Sequence, residues 1–356
     1  MTARFLLASA MAASFSVSIC DAVLAIDLVH RKSSDKTLGG EVTKNTRDGI
    51  TVTQQVGMKE EVVPAADVAY IEWDAEPGPV KLARGSETTG ALDEAVKQFQ
   101  EALKAVASSK EGLKTDVQFG LARATARKAI RSGEDLPGAL AGVKAFVNAN
   151  RDNYRYYESQ LLLGEVSLAS GDFAAAEIAY QSAAGATSAE FQKAGKIGVA
   201  RAMLGRGETA KAKTMFSEVA SQPAQSPSEE ARRLEAILGQ ALCLQQEKDH
   251  AGARKLVDQV IEEARPADGR IQAEAYLRQG DLLMTEGGNA KSAIIAYLHV
   301  DVIPEFASER ELHAEALFQL AKLWPAVGEA ERGADAATRL KTQYPQSIWN
   351  RRLTGM

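Results

Sequence analysis

From about residue 91 onward, apolar residues recur at spacings of three and four, the pattern of amphipathic helices, with almost no alternation of the kind a strand requires. One segment shows the unit clearly. Gly171 to Ala184, GDFAAAEIAYQSAA, places six alanines around Tyr180. Its apolar face reads as a small residue, a large apolar residue four later and another apolar residue three after that: Ala176, Tyr180, Ala183. The same triplet returns as Ala95/Phe99/Ala102, Ala139/Val143/Phe146, Ala212/Phe216/Val219, Ala253/Val257/Val260, Ala293/Tyr297/Val300 and Gly333/Ala337/Leu340. Successive first members lie 44, 37, 36, 41, 40 and 40 residues apart. A glycine or polar turn precedes each triplet: Gly90, Ser132-Gly133, Gly171-Asp172, Gly205 to Gly207, Lys248-Asp249, Gly287-Gly288 and Gly328.

A second small residue stands twelve positions before the first, as Gly164 before Ala176, Ala200 before Ala212, Ala241 before Ala253 and Ala321 before Gly333. Helix axes approach to about 8 Å only where both helices present small side chains. The pattern therefore predicts antiparallel helix pairs, with the large residue of each triplet filling the space toward the next pair. Self-similarity at such a period is the mark of a solenoid.

Residues 26–76 have a different pattern. Short Val-, Ile- and Thr-rich runs are punctuated by Gly39-Gly40, Asp48-Gly49 and Gly57, which read as turns between four or five strands. Trp73 reads as a residue closing the core of this small β unit. Pro77-Gly78-Pro79 then reads as a break, and residues 77–90 as a linker. On this division the solenoid occupies residues 91–350, and its first unit has only a second helix, Ala91 to Ala107, acting as a cap.

At the N-terminus one basic residue, Arg4, precedes an apolar stretch from Phe5 to Ile19 and a small-residue region ending at Ala25. This is the pattern of a secretory signal peptide cleaved after Ala25, so residues 1–25 would be removed and the protein exported to the periplasm or cell envelope. An uncleaved anchor and a lipoprotein signal at Cys20 are the alternatives. The apolar run is short for a span of about 20 residues, and the bulky Ile19 stands where a lipoprotein signal takes a small residue. No later segment is long and apolar enough to span a membrane.

The helical part resembles the tetratricopeptide repeat (TPR) family. The unit YYESQLLLGEVSLASGDFAAAEIAYQSA carries Leu163, Gly164, Ala176, Tyr180 and Ala183 in family positions, and the terminal TQYPQS is similar to repeat ends of bacterial envelope members. The resemblance implies a mainly α fold, an α-solenoid of helix pairs preceded by the small β module. That module is similar to SH3-like and Sm-like barrels, which suggests docking or capping. The family binds protein or peptide partners in the concave groove lined by the first helix of each pair. Carried over unit by unit, the groove positions are Arg123 and Arg127; Glu158, Leu161 and Glu165; Ile197 and Arg201; Glu235, Leu238 and Leu242; Glu274, Leu277 and Asp281; and Glu315, Phe318 and Lys322. Such a groove is basic near its start and acidic toward its end. If exposed together, Leu161, Ile197, Leu238, Leu277 and Phe318 would form an apolar strip for an extended or helical peptide.

Charge narrows the function classes. Lys and Arg number 42 against 47 Asp and Glu, a formal net charge of −5, which argues against nucleic acid as the partner. Cys243 lies on an apolar helical stripe and reads as a small buried hydrophobe. The histidines His30, His250, His299 and His313 have no i, i+4 pairing, so no metal site is expected. No nucleophile motif or phosphate loop occurs, and Gly205-Arg206-Gly207 reads as a turn. The expectation is a non-catalytic exported scaffold that needs no cofactor and mediates protein interactions. A structural envelope component that self-associates, a homo-oligomer, is the second reading, and an enzyme the third.

Overall fold

The computed structural model describes residues 26–265 and 268–355. The expected cleavage site after Ala25, and Cys20, lie outside the described residues.

Five strands come first: β1 (Asp27–Arg31), β2 (Leu38–Thr46), β3 (Gly49–Thr53), β4 (Glu60–Pro64) and β5 (Val68–Glu72). They form one sheet in the order β4-β3-β2-β1-β5, with every neighbouring pair antiparallel. Asp48-Gly49 marks the β2–β3 turn as its sequence predicts. Gly39 and Gly40 do not form a turn. They lie inside β2, opposite Leu28 and Asp27 of β1. A side chain at Gly40 would run into the Thr53 carbonyl of β3, 2.5 Å from an added Cβ. The glycine thus serves close strand approach, the other meaning of glycine in a strand.

The helices follow in antiparallel pairs. They are α1 (Gly78–Thr88) with α2 (Leu92–Ala105), α3 (Glu111–Ser132) with α4 (Leu136–Ala149), α5 (Tyr156–Ala169) with α6 (Phe173–Ala184), and α7 (Ala189–Gly205) with α8 (Thr209–Ser221). Then come α9 (Pro227–Gln246) with α10 (His250–Glu263), α11 (Gly269–Thr285) with α12 (Ala290–Val302), and α13 (Arg310–Ala326) with α14 (Ala330–Gln343). A short helix, α15 (Ile348–Thr354), closes the chain against α13 and α14. The fold is therefore a mainly α solenoid preceded by a small all-β module. Among the described residues no helix is long and apolar enough to cross a membrane.

The linker expectation for residues 77–90 is corrected by α1, which gives the first unit both of its helices. Proline in the first turn of a helix removes an N–H that has no intrahelical partner anyway, so Pro77-Gly78-Pro79 opens a helix instead of breaking one. Val80, Ala83 and Glu87 then form its buried stripe.

The repeat triplets are the core. All of their members except the half-buried Ala337 are buried. Tyr180 lies between two helices of neighbouring pairs: a Cβ added at Gly164 on α5 or at Gly198 on α7 would overlap its ring. Phe216 and Gly239, and Tyr297 and Gly280, repeat the device. Asp135, Asp172, Asp249 and Asn289 cap α4, α6, α10 and α12, accepting hydrogen bonds from Gly138, Ala175, Gly252 and Ser292 backbone N–H groups at 3.2, 3.0, 2.9 and 3.1 Å. The polar turns seen in the sequence are thus helix starts. Cys243 is free and buried, and burial pushes its thiol up to about 11.

The sheet is not separate from the helices. Val29, Ile50, Val63 and Ile71 share one apolar cluster with Val80, Phe99, Val117, Tyr157 and Phe191. Trp73 does more than close the sheet's core. Its ring lies on Gly112 and its indole N–H donates to Asp116 of α3 at 2.7 Å.

Candidate functional site

The solenoid curves until its two ends meet. Arg131 of α3 forms an ion pair with Glu311 of α13 at 2.6 Å and donates to the Gly90 carbonyl at 2.7 Å. Arg310 lays its stem against Gly90. Arg351 of α15 donates to the Ser132 carbonyl at 2.7 Å and pairs with Glu134 at 3.0 Å. The ring so formed surrounds a cavity of about 1040 Å³. Every first helix, α1, α3, α5, α7, α9, α11 and α13, contributes to its wall.

Five of the sixteen expected groove residues line this cavity: Arg127, Glu165, Arg201, Glu235 and Glu274. Most of the charged ones are engaged with one another or with acids on adjoining first helices. Glu87 of α1, buried to 7% exposure, accepts from Arg123 at 2.7 and 2.8 Å and from Arg127 at 2.9 Å. Arg123 also reaches Glu158 on α5 at 3.4 Å. Arg201 of α7 pairs with Glu235 of α9 at 2.9 Å, and Arg232 bridges Glu235 and Glu190 at 2.7 and 2.9 Å. Arg278 of α11 pairs with Asp281 at 2.7 Å and with Glu315 of α13 at 2.8 Å, and Tyr297 donates to Asp281 at 2.8 Å. Ion pairs thus link α1 to α3, α3 to α5, α7 to α9 and α11 to α13. Burial raises Glu158 and Glu235, but neighbouring guanidiniums outweigh it: Arg155 and Arg123 for the first, Arg201 and Arg232 for the second. Both carboxyls are held at about 2.

Two groove acids remain unengaged. Glu165 and Glu274 have no ion-pair or hydrogen-bond partner among the described residues, and neither does Arg270, which lines the cavity beside them. Solvent reaches Glu165 through the cavity. Its setting in the wall nonetheless raises its carboxyl, with Arg270, Arg127 and Arg201 opposing more weakly.

The apolar strip does not form. Ile197, Leu238 and Leu277 are core residues at 1%, 3% and 0% exposure, because the face they occupy is covered by the next helix of the stack. Leu161 packs on the cluster shared with the sheet, and Leu242 is half-buried outside the cavity wall. The Phe318 ring packs on Trp349 of α15 with centroids 5.3 Å apart, and Lys322 Nζ lies 5.1 Å from the Phe318 centroid. These two therefore belong to the end of the stack.

Glu87, Glu190, Arg232, Arg270 and Arg278 are site residues that the sequence reading passed over. Arg232 and Arg278 each stand three residues before an expected groove acid, a spacing that places both on one helix face and was a usable signal. Glu87 offers none, because the sequence of Pro77-Gly78-Pro79 masks the helix that carries it.

No family model and no curated protein sequence matches the chain. Solved structures do. A Rap protein complexed with competence and sporulation factor matches with a TM-score of 0.52 at 13% identity, over 78% of this chain and 75% of that one. A tetratricopeptide repeat protein from Parabacteroides merdae gives 0.48 at 14% identity, over 78% and 98%. PilW, a widely conserved type IV pilus biogenesis factor, gives 0.41 at 16% identity, over 67% and 98%. At such identities the likeness concerns the fold alone, a stack of antiparallel helix pairs.

Proposed function

We propose that the chain is an exported, non-catalytic scaffold whose central cavity holds an extended segment of a partner protein. The observation that carries this reading is a cavity ringed by the first helices in which Glu165, Glu274 and Arg270 stand without partners among the described residues. A volume of about 1040 Å³ is at the upper limit of small-molecule sites, which run to about 1,000 Å³, and suits a peptide segment. Carboxylates and a guanidinium left open in a partly desolvated wall favour an occupant that supplies the missing hydrogen-bonded charges. Export rests on the N-terminal pattern of one basic residue, an apolar run and small residues ending at Ala25.

A photo-crosslinking residue in place of Glu274 tests the site, with the same residue at Lys255, exposed on the outer helix α10, as the control. Partner adducts in intact cells are expected from the cavity position alone. Equal labelling from both positions, or none from the cavity, overturns the reading.

A second reading, self-association through the sheet, has its own observation. β4 is an edge strand, and Val62 on it is 69% exposed, with Val56 and Met58 in the preceding turn 91% and 73% exposed. An open apolar edge of this kind is a template for strand pairing. Light scattering across a concentration series separates the two, since a mass that stays monomeric removes the second.

A further inference from the structure

We infer that the seam where α1–α4 meet α13–α15 is a gate, which opens and recloses while the helix pairs keep their packing and which controls lateral access to the central cavity. The first ground is where the apolar core is missing. The core divides into clusters of neighbouring elements, and among the described residues none of these clusters draws on both sides of the seam. Across the seam Ile348 lies against Gly133.

The second ground is what holds the seam. Its polar contacts include three long cations, Arg131 to Glu311 and the Gly90 carbonyl, Arg310 along Gly90, and Arg351 to Glu134 and the Ser132 carbonyl, and Gln346 also reaches Asp93. Arg351 and Glu134 are 35% and 67% exposed, so water stands ready to take the place of either, whereas Arg131 and Glu311, at 18% and 39%, meet through buried Nε and Oε1 atoms. An exposed pair such as Arg351 with Glu134 is weak and screened by salt. A further cavity of about 430 Å³ runs along the seam between Asp93, Arg131, Arg310, Tyr344 and Gln346. The two surfaces therefore meet across open space.

The third ground is the architecture. In a solenoid each unit packs on its neighbours, so a small rotation at every interface adds up to a large displacement at the ends. Parting the seam breaks no helix pair and exposes no cluster. It turns a closed ring, which a segment can enter only by threading an end, into an open clamp that accepts the middle of a chain.

Small-angle X-ray scattering of the purified protein tests the gate without any ligand, so its outcome is independent of what the cavity binds. The radius of gyration is expected to rise when salt increases from about 0.05 M to about 1 M, conditions that shrink the Debye length to about 3 Å. The double charge reversal Arg131→Glu with Arg351→Glu is expected to give the same rise at low salt, with helical circular dichroism unchanged. A short bismaleimide tether between Glu134→Cys and Arg351→Cys, in a Cys243→Ala background, is expected to abolish the salt response. A radius insensitive to salt overturns the proposal. So does a salt response that survives the tether, which would place the motion elsewhere. Should the double reversal fail to fold, the salt and tether arms decide alone.

Discussion

Two contacts tie distant parts of this chain together, and they are built in opposite ways. At the junction between sheet and solenoid, Asp116 accepts from the Trp73 indole at 2.7 Å and from the Tyr154 hydroxyl at 2.6 Å. The Tyr154 N–H donates to Asn45 of β2 at 3.0 Å, and Arg155 reaches the Ala69 carbonyl at 3.3 Å. All of this sits against a continuous apolar cluster shared by both parts. At the seam the partners are similar, arginines with carboxylates and carbonyls, but among the described residues no apolar cluster underlies them. A polar contact in a dry setting is expensive to break, because the groups left behind stay desolvated, whereas at a wet seam water takes the vacated place. The junction makes the sheet part of the body. The seam makes the ring a closure.

The contrast is broken most severely at Trp73. Trp73→Ala removes a buried aromatic from both the sheet core and the α3 surface, and is expected to cost about 3–5 kcal/mol in urea unfolding. Asp116→Ala comes next. It strands the Trp73 and Tyr154 donors, with an expected loss of about 2–3 kcal/mol by the same measurement. Acid gives a smaller and graded effect. The carboxyls of Glu158 and Glu235 fall from the usual 4.5 to about 2 in the folded protein, so the native state binds fewer protons there than the unfolded chain. The stability they contribute is complete above about pH 4.5 and is lost as pH falls toward 2. Urea midpoints measured between pH 7 and pH 2.5 should decline only in the lower part of that range. The smallest effect belongs to the seam, where Arg351→Ala is expected to change unfolding by less than about 1 kcal/mol. A loss at Arg351 equal to that at Asp116 would erase the distinction between the two contacts.

Much of the architecture was legible because close packing leaves a mark in residue size. Ala176 and Tyr180 with Gly164 announced a helix pair whose axes approach closely, and the structure puts the Tyr180 ring between Gly164 and Gly198 as that logic requires. Pro77-Gly78-Pro79 was misread because proline both ends and begins helices, and the deciding fact, the burial of Val80, Ala83 and Glu87, is tertiary. The groove was legible in part. Arg201, Glu235, Glu274, Glu165 and Arg127 reach the cavity wall. Ile197, Leu238 and Leu277 do not, since a helix position that faces a groove in one curvature faces a neighbouring helix in another.

The sequence by itself determined the period, the helix pairs, the capped turns and the small β unit, because propensity, capping and side-chain volume act over a turn or two of chain. The tertiary structure alone decided that the stack bends far enough for Arg131 to meet Glu311 and Arg351 to meet Ser132. Curvature is the sum of small rotations at every interface, and no single interface records the total. A closed ring with a polar seam is a property of that sum.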